Sequence, residues 1–218
     1  MAPQFYLRQM EVGPMENFVY LIGDPITRCV MVVDPAWQVD TILKAAEADG
    51  MKVTGALISH HHYDHTNGIE ALLEATDAKV YVNKHDAEFV SVPKSNLVKT
   101  DHGEEIKIGE ISVKALHTPG HTPGSQCFHV QGNLVSGDTL FIKGCGRCDL
   151  PGGDPEAMYY TLTQKLMRMK DDTVLLPGHN YAERPRSTLG DEKLQNPYLR
   201  TASASLKDFL ALRMGKRK

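Results

Sequence analysis

Four histidines and an aspartate stand within six consecutive positions, His60-His61-His62-Tyr63-Asp64-His65, directly after the apolar run Ala56-Leu57-Ile58 and Ser59. On an extended exit from a strand, residues i and i+2 share a side, so His60 and His62 point together while His61 points away. Two imidazoles on one side make a pair of metal ligands. Asp64 and His65 follow where the chain turns toward a helix expected over Thr66 to Ala75, and they reach the same hollow from a second direction. A solvated turn that binds metal adventitiously does not require this spacing, and His-x-His-x-Asp-His after a buried strand is much narrower than a His-rich tract.

Three more strand exits deliver the same donor types. The strand ending at Leu116 leads to His121, the run Leu134-Val135-Ser136-Gly137 to Asp138, and Val174-Leu175-Leu176-Pro177-Gly178 to His179. Functional groups collect on loops at one rim of a rigid sheet, so the four exits are expected to share an edge. Alone, His121 or His179 reads as a hydrogen-bonded loop histidine and Asp138 as a turn cap; beside the first motif they read as ligands. Seven donors exceed the four that close a structural zinc site. Two metals sharing one carboxylate would each keep three private ligands and room for water. The assignment is His60, His62 and His121 on one metal, Asp64, His65 and His179 on the other, and Asp138 between them. Nitrogen and oxygen donors admit zinc, iron or manganese. His85, His102, His117 and His129 lack such placement and read as surface or supporting residues, His117 being the one expected to orient a ligand.

The elements that must carry these residues are legible from periodicity and turn signals. Asn17 to Ile22 and Cys29 to Val33 form a hairpin about Gly23-Asp24-Pro25. Asp40 to Ala48 is a helix stopped by Gly50, Val53 to Ile58 the strand bearing the histidine motif, and Lys79 to Asn83 another strand before an irregular region around Pro93. This alternation indicates α/β layering. Further on, Glu105–Ile108, Ile111–Leu116, Gln126–Val130 and Asn133–Val135 are short antiparallel strands separated by Gly- and Pro-rich turns. Asp154 to Met169 is the clearest helix, with Asp154 as N-cap and Met158, Leu162, Leu166 and Met169 on one face. Thr173–Leu176 is a strand and Ser203–Arg213 a terminal helix. The expected architecture is a β-sandwich covered by helices.

At 218 residues with 41% hydrophobic content, the chain is expected to form one domain, 1–218, with a substantial core. A net charge of -3 gives no basic field for a polyanion, and Lys216-Arg217-Lys218 reads as a frayed end. The N-terminal stretch lacks the apolar block of a signal peptide, and no run approaches the ~20 apolar residues of a membrane span. A soluble, cytoplasmic protein without nucleic-acid or membrane partners is expected. Cys29, Cys127, Cys145 and Cys148 read as reduced thiols, and Cys145-x-x-Cys148 as a loop pair rather than a redox centre. An exposed apolar residue such as Met167 would serve a homodimer surface or the core.

The segments His60-x-His62-x-Asp64-His65, Thr118-Pro119-Gly120-His121-Thr122-Pro123-Gly124-Ser125, Ser136-Gly137-Asp138-Thr139-Leu140-Phe141 and Pro177-Gly178-His179 together resemble the signature of the metallo-β-lactamase superfamily. The resemblance spans nearly the whole chain and implies an α/β (α+β) fold, the αββα four-layer sandwich with a binuclear site at one edge. Gly137 to Phe141 running on to Gly144-Cys145-Gly146-Arg147 is similar to glyoxalase II and to the persulfide dioxygenases. Glyoxalase II carries an extra C-terminal helical domain that helps hold glutathione, whereas about forty residues follow His179 here. True β-lactamases of the family lack the aspartate represented by Asp138, which leaves β-lactam or lactone hydrolysis as a side activity. A ribonuclease Z would need an RNA-holding arm, and His62 stands where flavodiiron proteins carry a glutamate.

The resemblance implies a hydrolase whose two divalent metals, zinc foremost, hold a bridging water with a pKa of about 7 that attacks a thioester or ester carbonyl. Asp64 would orient that nucleophile as well as bind metal, and Lys143 and Arg147 would grip a carboxylate of a small-molecule, glutathione-linked substrate. The rival is a persulfide dioxygenase with a single Fe2+ on His60, His121 and Asp138, acting on glutathione persulfide with open positions for oxygen. Ser187-Thr188-Leu189-Gly190 to Asn196-Pro197 resembles the C-terminal segments of both. A non-enzymatic metal-binding protein on the same scaffold is the third class.

Overall fold

The computed structural model describes residues 5–215. Its first sheet holds β1 (Tyr6–Val12), β2 (Asn17–Asp24), β3 (Cys29–Val33), β4 (Lys52–Ile58), β5 (Lys79–Asn83) and β6 (Leu97–Thr100) in sequential order. The first three strands pair antiparallel and the last four parallel; helices carry the crossovers after β3 and β4, and an irregular segment carries the one after β5. These are α1 (Val39–Ala48) after β3, then α2 (Tyr63–Thr66) and α3 (Ile69–Ala75) after β4.

The second sheet contains β7 (Glu105–Ile108), β8 (Ile111–His117), β9 (Gln126–Val130), β10 (Asn133–Gly137), β13 (Val174–Pro177) and β14 (Ser187–Thr188), in the order β14-β13-β10-β9-β8-β7. Only the β10–β13 pair is parallel, and α4 (Pro155–Gln164) lies in that crossover. A two-stranded ribbon, β11 (Leu140–Phe141) and β12 (Gly144–Cys145), follows β10, and α5 (Leu189–Gln195), α6 (Pro197–Ala204) and α7 (Leu206–Met214) follow β14.

Strand alternation builds the layers. In β2, Phe18, Tyr20 and Ile22 enter a core between the sheets with Phe128, Val113 and Leu176, whereas Val19 and Leu21 face a second core with Ile42, Ile69 and Leu72 of α1 and α3. All eight residues of β2 are therefore buried. The opposite face of the second sheet gives Cys127, Leu134 and Leu175 to a third core with Met158, Leu162, Leu199 and Phe209. The result is helices, sheet, sheet, helices, the α/β four-layer sandwich expected.

Several boundaries differ from the sequence reading. The helix expected over Thr66 to Ala75 is two, broken at Asn67-Gly68, and the first begins at Tyr63, so Asp64 and His65 lie within it. The break has a packing cause: the Gly68 N–H donates to Pro35 O, and a Cβ there would stand 2.6 Å from Val39 Cγ2. The helix expected to run to Met169 ends at Gln164 and continues as a 3-10 turn, Leu166–Arg168, although Asp154 does cap it by accepting from the N–H groups of Glu156 and Ala157. The terminal helix is split by extended Ser205, whose side chain caps α7. The strands β1, β6 and β14, the β11–β12 ribbon, the helix α5 and most of α6 have no counterpart in the sequence reading. Met167 packs partly buried against the third core. The basic tail Lys216-Arg217-Lys218 lies outside the described residues. Among the described residues no helix is long and apolar enough to cross a membrane.

Candidate metal centre

The exits of β4, β8, β10 and β13 meet at one end of the sandwich. Donor atoms there fall into three groups whose members lie within 4.8 Å of one another: His60, His62 and His121; Asp64, His65 and His179; and His60, His65 and Asp138. The first two are the trios assigned from spacing. Asp138 stands between them, with Oδ1 3.3 Å from His65 Nε2 and 3.5 Å from His179 Nε2, and Oδ2 3.5 Å from His121 Nε2.

The surroundings dictate which nitrogen of each ring is free. His60 Nδ1 donates to Ser59 Oγ at 3.0 Å, and that hydroxyl donates to Asp34 Oδ2 at 2.6 Å. His65 Nδ1 meets the same carboxylate at 2.9 Å. His121 Nδ1 donates to Arg147 O at 2.6 Å and His179 Nδ1 to Met15 O at 2.9 Å. A neutral ring that donates through Nδ1 carries its lone pair on Nε2, and all four rings present Nε2 inward. His65 Nε2 and His179 Nε2 then face each other at 3.2 Å, and His60 Nε2 faces His62 Nδ1 at 3.1 Å. His121 Nε2 is buried without a hydrogen-bond partner. Ring nitrogens this close must share either a proton or a metal ion, and with the neighbouring carboxylates these residues fit divalent metal ions of the kind bound by nitrogen and oxygen donors.

The proton affinities divide the cluster into rings that stay neutral and rings that attract positive charge. Burial, reinforced by neighbouring His65, lowers the His60 imidazole well below its usual range, keeping it neutral, and burial with His121 and His61 brings His62 to about 4. Burial also disfavours charge on His65, but Asp138, Asp34 and Asp64 outweigh it and raise that imidazole well above its ordinary value. Asp138 is held low despite its burial, chiefly by His65 and His179. Asp64, also held low, accepts from Asn17 Nδ2 at 2.9 Å. Three carboxylates around a buried histidine form a site that calls for positive charge.

A cavity of about 430 Å3 opens onto His62, His121, Asp138 and His179, with Lys143 and Arg213 also on its walls. Lys143 is exposed, held in the left-handed region at φ 57° with its N–H bound to Glu192 Oε2. Arg147 borders the cavity, but its guanidinium is paired to Asp149 through two contacts of 2.8 and 2.9 Å, so its contribution to the centre is its carbonyl on His121. Arg213, overlooked in the sequence, is the freer cation: Nη1 donates to Cys145 O at 3.2 Å, the guanidinium lies 5.3 Å from the Tyr198 ring centroid, and Nε is buried without a partner. Tyr181 stacks flat on His179 at 4.6 Å and meets Phe141 at 5.5 Å, forming an aromatic wall.

His117 does not orient a candidate ligand. Its Nε2 donates to Pro123 O at 2.8 Å and its ring stacks on His85 at 5.1 Å. The orienting groups are Asp34, Ser59, Asn17 and the carbonyls of Met15 and Arg147. Only Asp34, a carboxylate after a buried strand and before proline, had a sequence feature that could have raised it. Cys145 and Cys148 are free thiols, each pushed by burial to about 12, as a structural pair would be.

A fold of two facing sheets between helical layers, with this cluster at one end, defines a class. The family model described as the Metallo-beta-lactamase superfamily matches residues 12–179, and the chain belongs to that superfamily of metallo-hydrolases. Within it, the chain is 39% identical over 172 residues to the hydroxyacylglutathione hydrolase of Polaromonas sp., covering 77% of this chain and 63% of that relative's length. It is 30% identical over 182 residues to the probable polyketide biosynthesis zinc-dependent hydrolase PksB of Bacillus subtilis, covering 84% of this chain and 81% of that one. The crystal structure of ETHE1 from Myxococcus xanthus superposes with a TM-score of 0.87 at 30% identity, covering 98% of this chain and 92% of that one.

Proposed function

We propose that this protein is a metal-dependent hydrolase with a binuclear centre that cleaves a thioester or ester, of the hydroxyacylglutathione hydrolase type. The observation that carries this reading is the convergence of ring nitrogens and carboxylates in two trios, with Asp138 placed to serve both. Metals bound there, zinc foremost and iron or manganese as alternatives, would supply Lewis acidity and a water acidic enough to be a nucleophile at neutral pH. His60, His62 and His121 would hold one ion, and Asp64, His65 and His179 the other. Asp64, anchored by Asn17, orients the attacking water through its carboxylate. Arg213 and Lys143 anchor the negative end of a small-molecule substrate, glutathione-linked in this reading, while Phe141 and Tyr181 cover its apolar part. Free, buried thiols fit a cytoplasmic location, and the reading calls for neither nucleic acid nor membrane.

A second reading, a mononuclear iron persulfide dioxygenase, is favoured by one feature: Asp138 Oδ2 lies 3.5 Å from His121 Nε2, with His60 beside both. Elemental analysis of protein purified without added metal, paired with two assays, separates the readings. Near two metals per chain, thiol release from an acyl-glutathione thioester and no oxygen uptake are expected. About one iron per chain with oxygen consumption on glutathione persulfide would sink the hydrolase.

A further inference from the structure

We infer that Asp86 is a positioning residue for one half of the metal centre, the His60, His62 and His121 trio, and not for the other half. This rests on the metal-centre reading above. Asp86 sits three residues beyond β5, in a turn closed by its N–H on Asn83 O and by the Phe89 N–H on Asp86 O. Its side chain is completely buried. A buried carboxylate is costly unless its lone pairs are filled, so its partners reveal what it holds.

Those partners all belong to the two segments that deliver the first trio. Oδ2 accepts from the His61 N–H at 3.0 Å and from Thr122 Oγ1 at 2.7 Å, and lies 2.9 Å from His61 Nδ1. Oδ1 accepts from the Gly124 N–H at 2.6 Å. His61 stands between ligands His60 and His62, and Thr122 directly follows His121. The Thr122–Ser125 turn is drawn tight by the Thr122 N–H on Ser125 Oγ at 3.0 Å. Gly124 lets the carboxylate approach, since a Cβ there would fall 2.5 Å from Asp86 Cγ.

One segment leaves the first sheet and the other joins two strands of the second, so chain connectivity does not set the distance between them. Asp86, from a third element, bridges them. The second trio has different supports: Asp34 on His65, Asn17 on Asp64 and Met15 O on His179. His60 has a further tether through Ser59 and His121 one through Arg147 O, whereas the Asp86 carboxylate touches both segments at once. Ligands must be held within about 0.5 Å of productive geometry, so losing this bridge loosens one site and spares the other.

The test is zinc titration against a competing chelator, comparing wild-type protein with Asp86→Asn. Two sites are expected in wild type, and in the variant one site weakened about 10- to 100-fold with the other unchanged. Combined with His121→Ala, Asp86→Asn should cost no further affinity; combined with His179→Ala it should remove the remaining tight site. Thr122→Val, which deletes a single hydroxyl contact, should shift the same site by a smaller factor and serves where Asp86→Asn does not fold. Two unchanged affinities, or two weakened equally, would overturn the assignment, equal loss being the mark of a purely structural role. Wild-type protein that takes up no zinc, iron or manganese would instead overturn the metal-centre reading, and this inference with it.

Discussion

Asp34 is the residue on which the two halves of the centre depend together. Its Oδ2 receives His65 Nδ1 directly and His60 through Ser59, and its Oδ1 receives the Ser59 N–H at 2.6 Å. Removing it frees both rings to rotate and to take the other tautomer. Asp34→Ala should therefore lower affinity for both metals about 10- to 100-fold, in contrast to the single-site effect of Asp86→Asn, as read by chelator competition. Arg213 makes a different kind of contribution. A guanidinium on the cavity wall with no carboxylate partner among the described residues is placed to meet a substrate anion, and a hydrogen bond to a charged group is worth about 1.5–3 kcal/mol. Arg213→Ala should raise KM roughly 10- to 100-fold for a carboxylate-bearing thioester and leave its amidated analogue nearly unaffected. Equal effects on both substrates would show that the residue supports only the wall. Arg147→Ala should have little effect on KM, because Asp149 already neutralises its guanidinium.

At the level of elements, the loops at the rim are held by close approaches that only certain residues permit. Gly120, one residue before His121, has φ +142°, and a Cβ there would lie 2.5 Å from Met158 Cα in α4. Backbone cannot yield as a flexible side chain does, so Gly120→Ala should cost roughly 2–3 kcal/mol in urea unfolding of the metal-free protein. The Asp86 bridge adds a pH signature. Burial alone would raise that carboxyl, but donation by His61, Thr122 and Gly124 outweighs burial and holds it below the usual carboxylate range. A depressed folded-state pKa stabilises the fold above the unfolded value, about 3.9, and that contribution is lost as pH falls through the folded value. The stability advantage of wild type over Asp86→Asn should be full at pH 7 and shrink below about pH 4, measured by urea midpoints across that range. A constant difference would mean that the carboxylate carries no such linkage.

For the molecule as a whole, the candidate centre lies across the seam between the two sheets and, once loaded, would clasp them together. Its donors come from β4 and α2 in the first and from the ends of β8, β10 and β13 in the second. Ions bound across that seam stabilise the folded state by mass action, about 2.7 kcal/mol at free metal one hundred times Kd. In a chain of this size each kcal/mol moves Tm by ~2–4 °C, so saturation should raise Tm by roughly 5–10 °C over chelated protein. A Tm indifferent to metal would contradict a site shared between the sheets.

Spacing along the chain picks out the His and Asp residues that the fold gathers at one rim, and most of the strands that carry them. Local spacing sufficed, because alternation on a strand exit fixes which residues share a side, and Gly- and Pro-rich turns mark where strands end. Asp154 capping α4 and the hairpin of β2 and β3 were legible for the same reason. The rest depends on packing and on hydrogen-bond geometry that spacing does not reveal. Gly68 breaks a helix because Pro35 and Val39 lie against it, and Arg147 loses its role as a free cation to a neighbour two residues on whose geometry spacing alone did not fix. His117, expected to orient a ligand, turns its ring to His85 instead, while Asp34, Asn17 and Met15 reach the centre from other elements. Donor identity is written in short motifs because metal coordination is a matter of atom type. Which nitrogen is bare, and what holds it there, depends on hydrogen bonds that exist only after the two sheets have packed.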